Sequence, residues 1–143
     1  MNIETSHSDD IEKPRNVFRT NISSGGAYES VLGYSRAVRV GMHVHVSGTC
    51  ASAEFENAST YEQAKAVLIT IGGALEKARA HFSDVVRTVI YLRDINDAEA
   101  VAKAHFEVFG DIRPAATLVQ VTSMLRHWQR VEIEAYAICT ADL

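Results

Sequence analysis

The sequence has no cluster of basic residues and only two cysteines. Its 143 residues include 14 Lys and Arg against 18 Asp and Glu, which gives a formal net charge of −4. Proteins that hold a phosphate backbone need clustered Lys and Arg, so the composition argues against a nucleic-acid partner. Cys50 and Cys139 form no CxxC motif and have no histidine nearby at zinc-ligand spacing. Two reduced thiols are therefore expected rather than a disulfide.

The sequence also contains no segment that approaches the roughly 20 apolar residues of a membrane span. Its amino terminus, MNIETSHSDDIEKPRN, has mixed charge and no apolar stretch, unlike a secretory signal or a transit peptide. We therefore expect a cytoplasmic protein with no membrane partner. A chain of this length with 47% hydrophobic residues can build one core. We expect a flexible arm over residues 1–14 and a single domain over residues 15–143.

The pattern of apolar residues predicts eight elements in the order β-β-β-α-β-α-β-β. The predicted strands either alternate in hydrophobicity or are continuously apolar, and they cover residues 15–22, 36–40, 43–48, 84–94, 115–121 and 130–138. The two predicted helices begin near Thr60 and Ala98 and have apolar residues three and four positions apart. This order is typical of an α+β fold with both helices on one face of a mixed sheet.

Local signals predict how these elements begin, end and connect. Thr60 and Gln63 have the spacing of a capping box at the start of the first helix. Gly72–Gly73 lies in its middle at a cost of about 1 kcal/mol per glycine relative to Ala, which indicates a close approach to the sheet. Gly110 ends the second helix, and Pro114 prevents its return. The Gly- and Ser-rich segment SSGGAYESVLG (residues 23–33) is predicted to be a loop.

One face of the predicted sheet is covered by neither helix. In the last strand, Glu132, Glu134 and Tyr136 point to the side opposite the apolar residues. The preceding strand places Thr117, Val119 and Val121 on one side, and Ala116, Leu118 and Gln120 on the other. A mixed apolar and acidic sheet face without helices is expected to be covered by another subunit. We therefore expect a homo-oligomer.

Three segments carry a resemblance to a known family: GYSRAVRVGMHVHVSG (residues 33–48), RPAATLVQV (113–121) and RVEIEAYAI (130–138). In this order they resemble the reactive intermediate deaminases, also called RidA, YjgF-like or L-PSP proteins. The resemblance extends from about Arg15 to Ile138. It implies the chorismate-mutase-like fold of that family, a homotrimer, and a small-molecule cleft between neighbouring subunits with no cofactor.

The resemblance also implies which residues line the cleft. The family's positions are occupied here by Tyr34, Ser47, Gly48, Thr117 in place of the usual Ser, and Glu132. The arginine that grips the substrate carboxylate in the deaminating members is replaced by Ala116, and a frequent reactive cysteine is replaced by Leu118. The usual Leu-Pro loop before the last strand is replaced by SMLRHWQ.

The chemistry of these residue types suggests their roles. A carboxylate such as Glu132 can hold and deprotonate the water that attacks a C=N bond, although an ion pair with Arg87 or Arg130 is the alternative. Ser47, Gly48 and Thr117 can donate hydrogen bonds to a ligand oxygen, or they are ordinary turn residues. Tyr34 offers a hydroxyl and a flat wall, or it is a half-buried loop aromatic.

The absent arginine removes an anchor whose loss typically costs about 2–5 kcal/mol. Arg36, Arg113 and Arg126 are the candidates to replace it, and Arg36 is preferred because it follows Tyr34 by two residues. The alternative is that all three are solvated surface charges. His43 and His45 alternate on one strand face, but no third ligand stands nearby, so no metal is predicted.

Two classes of function remain open. The first is an enzyme, a deaminase that hydrolyses an imine or enamine with water held by Glu132, on substrates unlike the amino-acid-derived imines of the arginine-bearing members. The second is a non-catalytic small-molecule-binding or regulatory module that uses the same cleft. Ribonuclease activity has been attached to the family, and the acidic balance of this chain argues against it.

Overall fold

The structure is a computed structural model that describes residues 18–140. The arm expected over residues 1–14 lies outside the described residues, as do residues 15–17 and 141–143. The strands are β1 (Arg19–Ile22), β2 (Ala37–Val40), β3 (His43–Thr49), β4 (Val85–Leu92), β5 (Ala115–Gln120) and β6 (Val131–Ile138); the helices are α1 (Ala27–Leu32), α2 (Thr60–Lys77) and α3 (Ala98–Phe109). Short 3₁₀ turns cover Ala53–Phe55, Phe82–Asp84 and Ile95–Asp97.

The strands form one mixed sheet in the order β1-β2-β3-β6-β4-β5. All neighbouring strands are antiparallel except β4 and β5, which are parallel and are connected by α3. α2 packs on β3 and β6, and α3 packs beside α2. His105 of α3 lies 2.9 Å from the hydroxyl of Thr88 on β4, and burial lowers the pKa of this histidine. The predicted α+β fold, a mixed sheet with two helices on one face, is confirmed.

The core lies between the sheet and these two helices. On β6 the side chains alternate between buried and half-buried, so that Glu132, Glu134 and Tyr136 lie on the side opposite the core. The apolar stripe of α2 is buried, including Val67, Leu68, Ile71 and Leu75. Burial of a large aliphatic side chain contributes about 1.5–3 kcal/mol, and this contribution explains why the periodicity of α2 predicts its position correctly.

The start of α2 differs from the prediction by one residue. Ser59 is the N-cap, and its hydroxyl accepts a hydrogen bond from the Glu62 amide at 3.2 Å. The predicted capping box of Thr60 and Gln63 is therefore wrong. Thr60 instead donates to the Asp97 carboxylate at 2.8 Å, which joins the start of α2 to the start of α3.

Gln63 is fully buried and holds the segment that leads into β6. Its amide nitrogen donates to the carbonyls of Phe55 and Trp128 at 3.1 and 2.9 Å. Its amide oxygen accepts from the Arg130 backbone at 2.9 Å. A buried amide needs such partners because an unmade hydrogen bond costs about 1–3 kcal/mol. These three bonds position the chain immediately before Glu132.

α1 occupies the segment for which the sequence predicts a loop. Glu29 stabilises its start, since its carboxylate accepts hydrogen bonds from the Ser24 hydroxyl at 2.6 Å and the Gly26 amide at 2.9 Å. The hydrogen bond from Ser24 is the largest influence that lowers the pKa of Glu29. Gly33 ends the helix with a φ of 82°, in the left-handed region that glycine adopts without strain.

α3 has the bounds that the sequence predicts, and Gly110 follows its last residue. The φ of Gly110 is −54°, however, so the left-handed conformation is not the reason for a glycine here. A Cβ at this position would lie 2.8 Å from the carbonyl oxygen of Phe106. The left-handed residue is Arg113, with a φ of 57°. Within residues 18–140, no helix has both the length and the apolar character that crossing a bilayer would require.

The two glycines inside α2 have different surroundings, neither of which is the predicted approach to the sheet. A Cβ on Gly72 would lie 2.8 Å from Cζ of Phe82, whose ring meets the edge of Phe109 at a centroid distance of 5.4 Å. A Cβ on Gly73 would have no neighbour within 4 Å. Only Gly72 is therefore explained by close packing.

These glycines form a matched pair for a stability measurement. Gly73→Ala should raise the free energy of unfolding by about 1 kcal/mol, the difference in helix propensity. Gly72→Ala should give no increase or a decrease, because the new methyl group displaces the Phe82 ring. Urea denaturation of both variants measures the difference. Equal stabilisation by the two substitutions would contradict the packing assigned to Gly72.

Candidate functional site

A pocket of about 460 Å³ opens at the carboxyl end of β3, between α1 and the segment that precedes β6. Five of the seven residues predicted for the site line it: Tyr34, Arg36, Ser47, Gly48 and Glu132. Its other lining residues are Tyr28, Leu32, Cys50, Leu125 and Gln129. We call this cavity the β3 pocket.

The other two predicted residues, Ala116 and Thr117, lie elsewhere in the chain. Ala116 lines a separate cavity of about 420 Å³ between α3 and β5. Thr117 points to the helix-free face of the sheet and accepts a hydrogen bond from Arg87 at 2.9 Å. A single chain therefore does not bring these two residues to Glu132.

Glu132 lies against the backbone of Gly48. A Cβ at position 48 would overlap the Glu132 carboxylate, so a side chain there would displace the carboxylate from this position. Neither Arg87 nor Arg130, the alternatives weighed from the sequence, forms an ion pair with Glu132 in the described structure. The pocket thus holds a half-buried carboxylate whose charge no described cation pairs with directly.

Cys50 is a pocket residue that the sequence reasoning did not identify. Burial, followed by the charge and the hydrogen bond of Glu132, raises the pKa of its thiol to about 12, while Arg36 acts in the opposite direction. The thiol is therefore protonated at neutral pH and is a poor nucleophile. No local motif predicts this contact, since Cys50 and Glu132 meet only when β3 pairs with β6.

Arg36 is buried, with 9% of its surface exposed, so the alternative of a solvated charge is wrong for this residue. Its Nη1 donates to the Gly48 carbonyl at 2.8 Å and to the Thr49 hydroxyl at 2.9 Å. Its Nη2 donates to the Tyr34 hydroxyl at 2.9 Å. These bonds hold the end of β3, where the pairing with β6 shifts register between Val46 and Thr49.

Some of the other polar side chains considered for the site already contact groups of the protein itself. The Ser47 hydroxyl donates to the Ser35 carbonyl at 2.6 Å, so it meets a ligand only as an acceptor in this arrangement. The Arg126 guanidinium lies 5.9 Å from the centre of the Tyr28 ring. Arg113 lines the cavity between α3 and β5 rather than the β3 pocket.

The segment SMLRHWQ is attached to the loop that follows β3. Trp128 donates from its indole nitrogen to the Ala51 carbonyl at 3.3 Å, and His127 lies 2.8 Å from the Glu56 carboxylate. These contacts give His127 and Trp128 a packing role in holding the two loops together.

His43 and His45, the residues with metal-compatible spacing, both contact Tyr136. The described residues contain no group of three or more His, Cys, Asp or Glu side chains arranged to hold a metal ion.

Comparisons with known proteins agree on one family. Residues 25–139 match the family described as endoribonuclease L-PSP. The 2-iminobutanoate/2-iminopropanoate deaminase of Capra hircus is 34% identical over 126 residues, which cover 85% of this chain and 91% of that protein. An uncharacterized protein of Streptomyces coelicolor is 34% identical over 120 residues, 80% of this chain and 90% of its own length.

A solved structure supports the same assignment. Rv2704 of Mycobacterium tuberculosis, described as a member of the YjgF/YER057c/UK114 family, is 43% identical with a TM-score of 0.79. The match covers 84% of this chain and 98% of that one. With the family match, the sequence relatives and this structural neighbour in agreement, the chain belongs to the RidA/YjgF/L-PSP family.

Proposed function

We propose that the chain binds a small metabolite in the β3 pocket and hydrolyses an imine or enamine. The observation that carries the proposal is the Glu132 carboxylate, which lines the pocket beside Gly48 and has no ion-pair partner among the described residues. A relative named as an imine deaminase supports the reaction class. The net charge of −4 speaks against an RNA substrate.

Glu132 serves as a general acid and base in the proposed reaction. Its carboxylate accepts a proton from water while the water oxygen bonds to the carbon of the C=N group, and the carboxylic acid so formed gives that proton to the nitrogen. The resulting carbinolamine then gives its hydroxyl proton to the carboxylate, which passes it to the nitrogen as the C–N bond breaks. The products are a carbonyl compound and ammonia, and Glu132 returns to its starting state.

We further propose a homotrimer whose subunits meet through their helix-free sheet faces. This face bears Val119, which is 40% exposed, together with Thr117, Glu134 and Tyr136, and no described helix covers it. A neighbouring subunit would bring its β5, an edge strand of the sheet, to the β3 pocket. Both cysteines are free, which supports the cytoplasmic location that we propose.

The second candidate function is capture of a metabolite without turnover. Two observations favour it: Ala116 supplies no charge, and the Ser47 hydroxyl is already donated to a backbone carbonyl. Both candidates use the same pocket, so they differ only in whether ammonia is released.

Ammonia release from imines generated in solution separates the two candidates. Glu132→Gln should lower the rate by about 100-fold or more, the usual contribution of a general base. Glu76→Gln, at an exposed position of α2 away from the pocket, is the control and should leave the rate unchanged. A wild-type rate no higher than background, with carboxylated and with neutral imines, would exclude the enzyme.

The protonation state of the Cys50 thiol can be measured by the rate of its alkylation. A thiol with a pKa of about 12 has roughly a thousandfold less thiolate than one at its ordinary pKa of 9.0, so iodoacetamide should modify Cys50 very slowly at pH 8. Glu132→Gln should speed the modification, because it removes the negative charge that raises the pKa. Mass spectrometry of the time course measures both rates. Rapid alkylation of wild-type Cys50 would contradict the described contact with Glu132.

Sedimentation equilibrium tests the proposed trimer. The wild type should sediment at three times the chain mass of 15.7 kDa. Val119→Glu should dissociate it, because a carboxylate would be buried at the subunit contact. Ile69→Glu on α2, where Ile69 is 74% exposed, is the control and should remain trimeric. A monomeric wild type would refute the assembly.

A further inference from the structure

We infer that a second cleft, at the opposite end of β3 from the β3 pocket, binds a small phosphate monoester that carries a planar ring, of the class of nucleoside monophosphates. This site does not depend on the proposed function. Its volume is about 500 Å³, and its described lining residues are Phe18, Thr20, Arg39, Gly41, Lys77, Ala78 and Arg79. We call it the cationic cleft.

The cationic cleft lies where the edge of the sheet meets the carboxyl end of α2. Thr20 of β1 pairs with Arg39 of β2. Two residues along each strand, Ile22 pairs with Ala37, and both are buried in the core. Because residues two apart share one face of a strand, Thr20 and Arg39 lie on the helix-covered side of the sheet. The seven residues of β3 separate this cleft from the β3 pocket by roughly 20 Å.

The cleft gathers positive charge in a chain whose net charge is −4. Three of its lining residues are cationic, and none of those that the structure describes is acidic. Lys77 and Arg79 are both exposed, and neither forms an ion pair within residues 18–140. Like charges around one cleft repel one another, so an anion placed between them is stabilised.

Arg79 has a backbone conformation that is normally reserved for glycine. Its φ is 59°. Its amide donates to the Glu76 carbonyl at 2.9 Å, and the Ala80 amide donates to the Leu75 carbonyl at 2.8 Å, which is the Schellman ending of a helix. Glycine occupies the left-handed position at the end of α1, as Gly33. An arginine that is retained at a strained position indicates a role for its side chain.

Stabilisation of the helix end does not account for the other two cations. Carbonyl groups at the carboxyl end of a helix attract positive charge. Here Arg39 already fills that role, since its Nη1 donates to the carbonyls of Ala78 and Arg79 at 2.8 and 3.2 Å. Its Nε donates to the Gly41 carbonyl at 2.9 Å. These bonds fix the floor of the cleft, above which Lys77 and Arg79 are available to a ligand.

The size of the cleft and the ring of Phe18 indicate the class of anion. A phosphate monoester carries nearly two negative charges at neutral pH and has three acceptor oxygens, so it can contact several cations at once. The side chain of Phe18 lines the same cleft and is 76% exposed. Exposed aromatic rings stack on nucleobases. A mononucleotide has a single phosphate group, so the site needs none of the extended basic surface that RNA requires.

Calorimetric titration with AMP and its two fragments tests the inference on the wild type. Adenosine lacks the phosphate, and ribose 5-phosphate lacks the ring. AMP should bind at least about 10-fold more tightly than either fragment, because each fragment loses one of the two kinds of contact. Affinity for AMP no greater than for one of the fragments, or no saturable binding of AMP, would overturn the inference.

Substitution of Arg79 separates binding from a structural role. Arg79→Gly should weaken AMP binding by about 10-fold, the usual effect of a lost hydrogen bond to a charged group, and should raise the midpoint of thermal unfolding because glycine relieves the strain. Lys77→Gln should weaken AMP binding to a similar degree. Lys65→Gln, at an exposed position of the same helix, is the matched control and should change the affinity by no more than about twofold.

Folded Lys77→Gln and Arg79→Gly variants with wild-type affinity for AMP, or an equal loss in Lys65→Gln, would overturn the assignment. Two-dimensional NMR then locates the bound AMP. The backbone amides of Gly41, Ala78 and Arg79 should shift on titration, whereas that of Gly48 in the β3 pocket should not. Saturable shifts confined to the β3 pocket would overturn the second site.

Discussion

The β3 pocket depends on the hydrogen bonds that the buried Arg36 makes to the end of β3. Nη1 holds the Gly48 carbonyl and the Thr49 hydroxyl where the pairing of β3 with β6 shifts register. This irregularity places Gly48 beside Glu132 of the neighbouring strand, where a side chain at position 48 would displace the carboxylate. Hydrogen bonds to a charged group typically contribute about 1.5–3 kcal/mol each, which offsets part of the cost of burying the guanidinium.

The walls of the pocket come from segments that the regular elements hold in place. α1 contributes Tyr28 and Leu32, and the Glu29 carboxylate stabilises the start of this helix. On the other side, Gln63 of α2 binds the backbone on both sides of Gln129. The buried polar side chains of Glu29 and Gln63 therefore hold the two walls of the pocket in position. Glu29 and Gln63 form these hydrogen bonds within the protein, as buried polar groups require.

Periodicity predicts the parts of this protein that the core determines. The apolar stripe of α2, the bounds of α3 and the alternation of β6 each follow from burial of one face, and the last of these places Glu132 on the helix-free side. Contacts between distant segments are not predictable in this way. The burial of Arg36 and the Cys50–Glu132 contact depend on strand register, and the short α1 depends on one carboxylate that binds its own turn. Ser59 and Thr60 are equally plausible N-caps in the sequence. Ser59 is the N-cap in the structure, and the Thr60 hydroxyl instead donates to the Asp97 carboxylate at the start of α3.

We propose that a small carbonyl compound binds in the β3 pocket, beside Glu132. Two-dimensional NMR of the isotopically labelled chain, titrated with 2-oxobutanoate, measures this directly. We expect saturable shifts of the backbone amides of Ser47, Gly48 and Cys50, and their loss in Arg36→Gln, which removes the hydrogen bonds that hold the end of β3. Saturable shifts elsewhere with these three amides unchanged would contradict it.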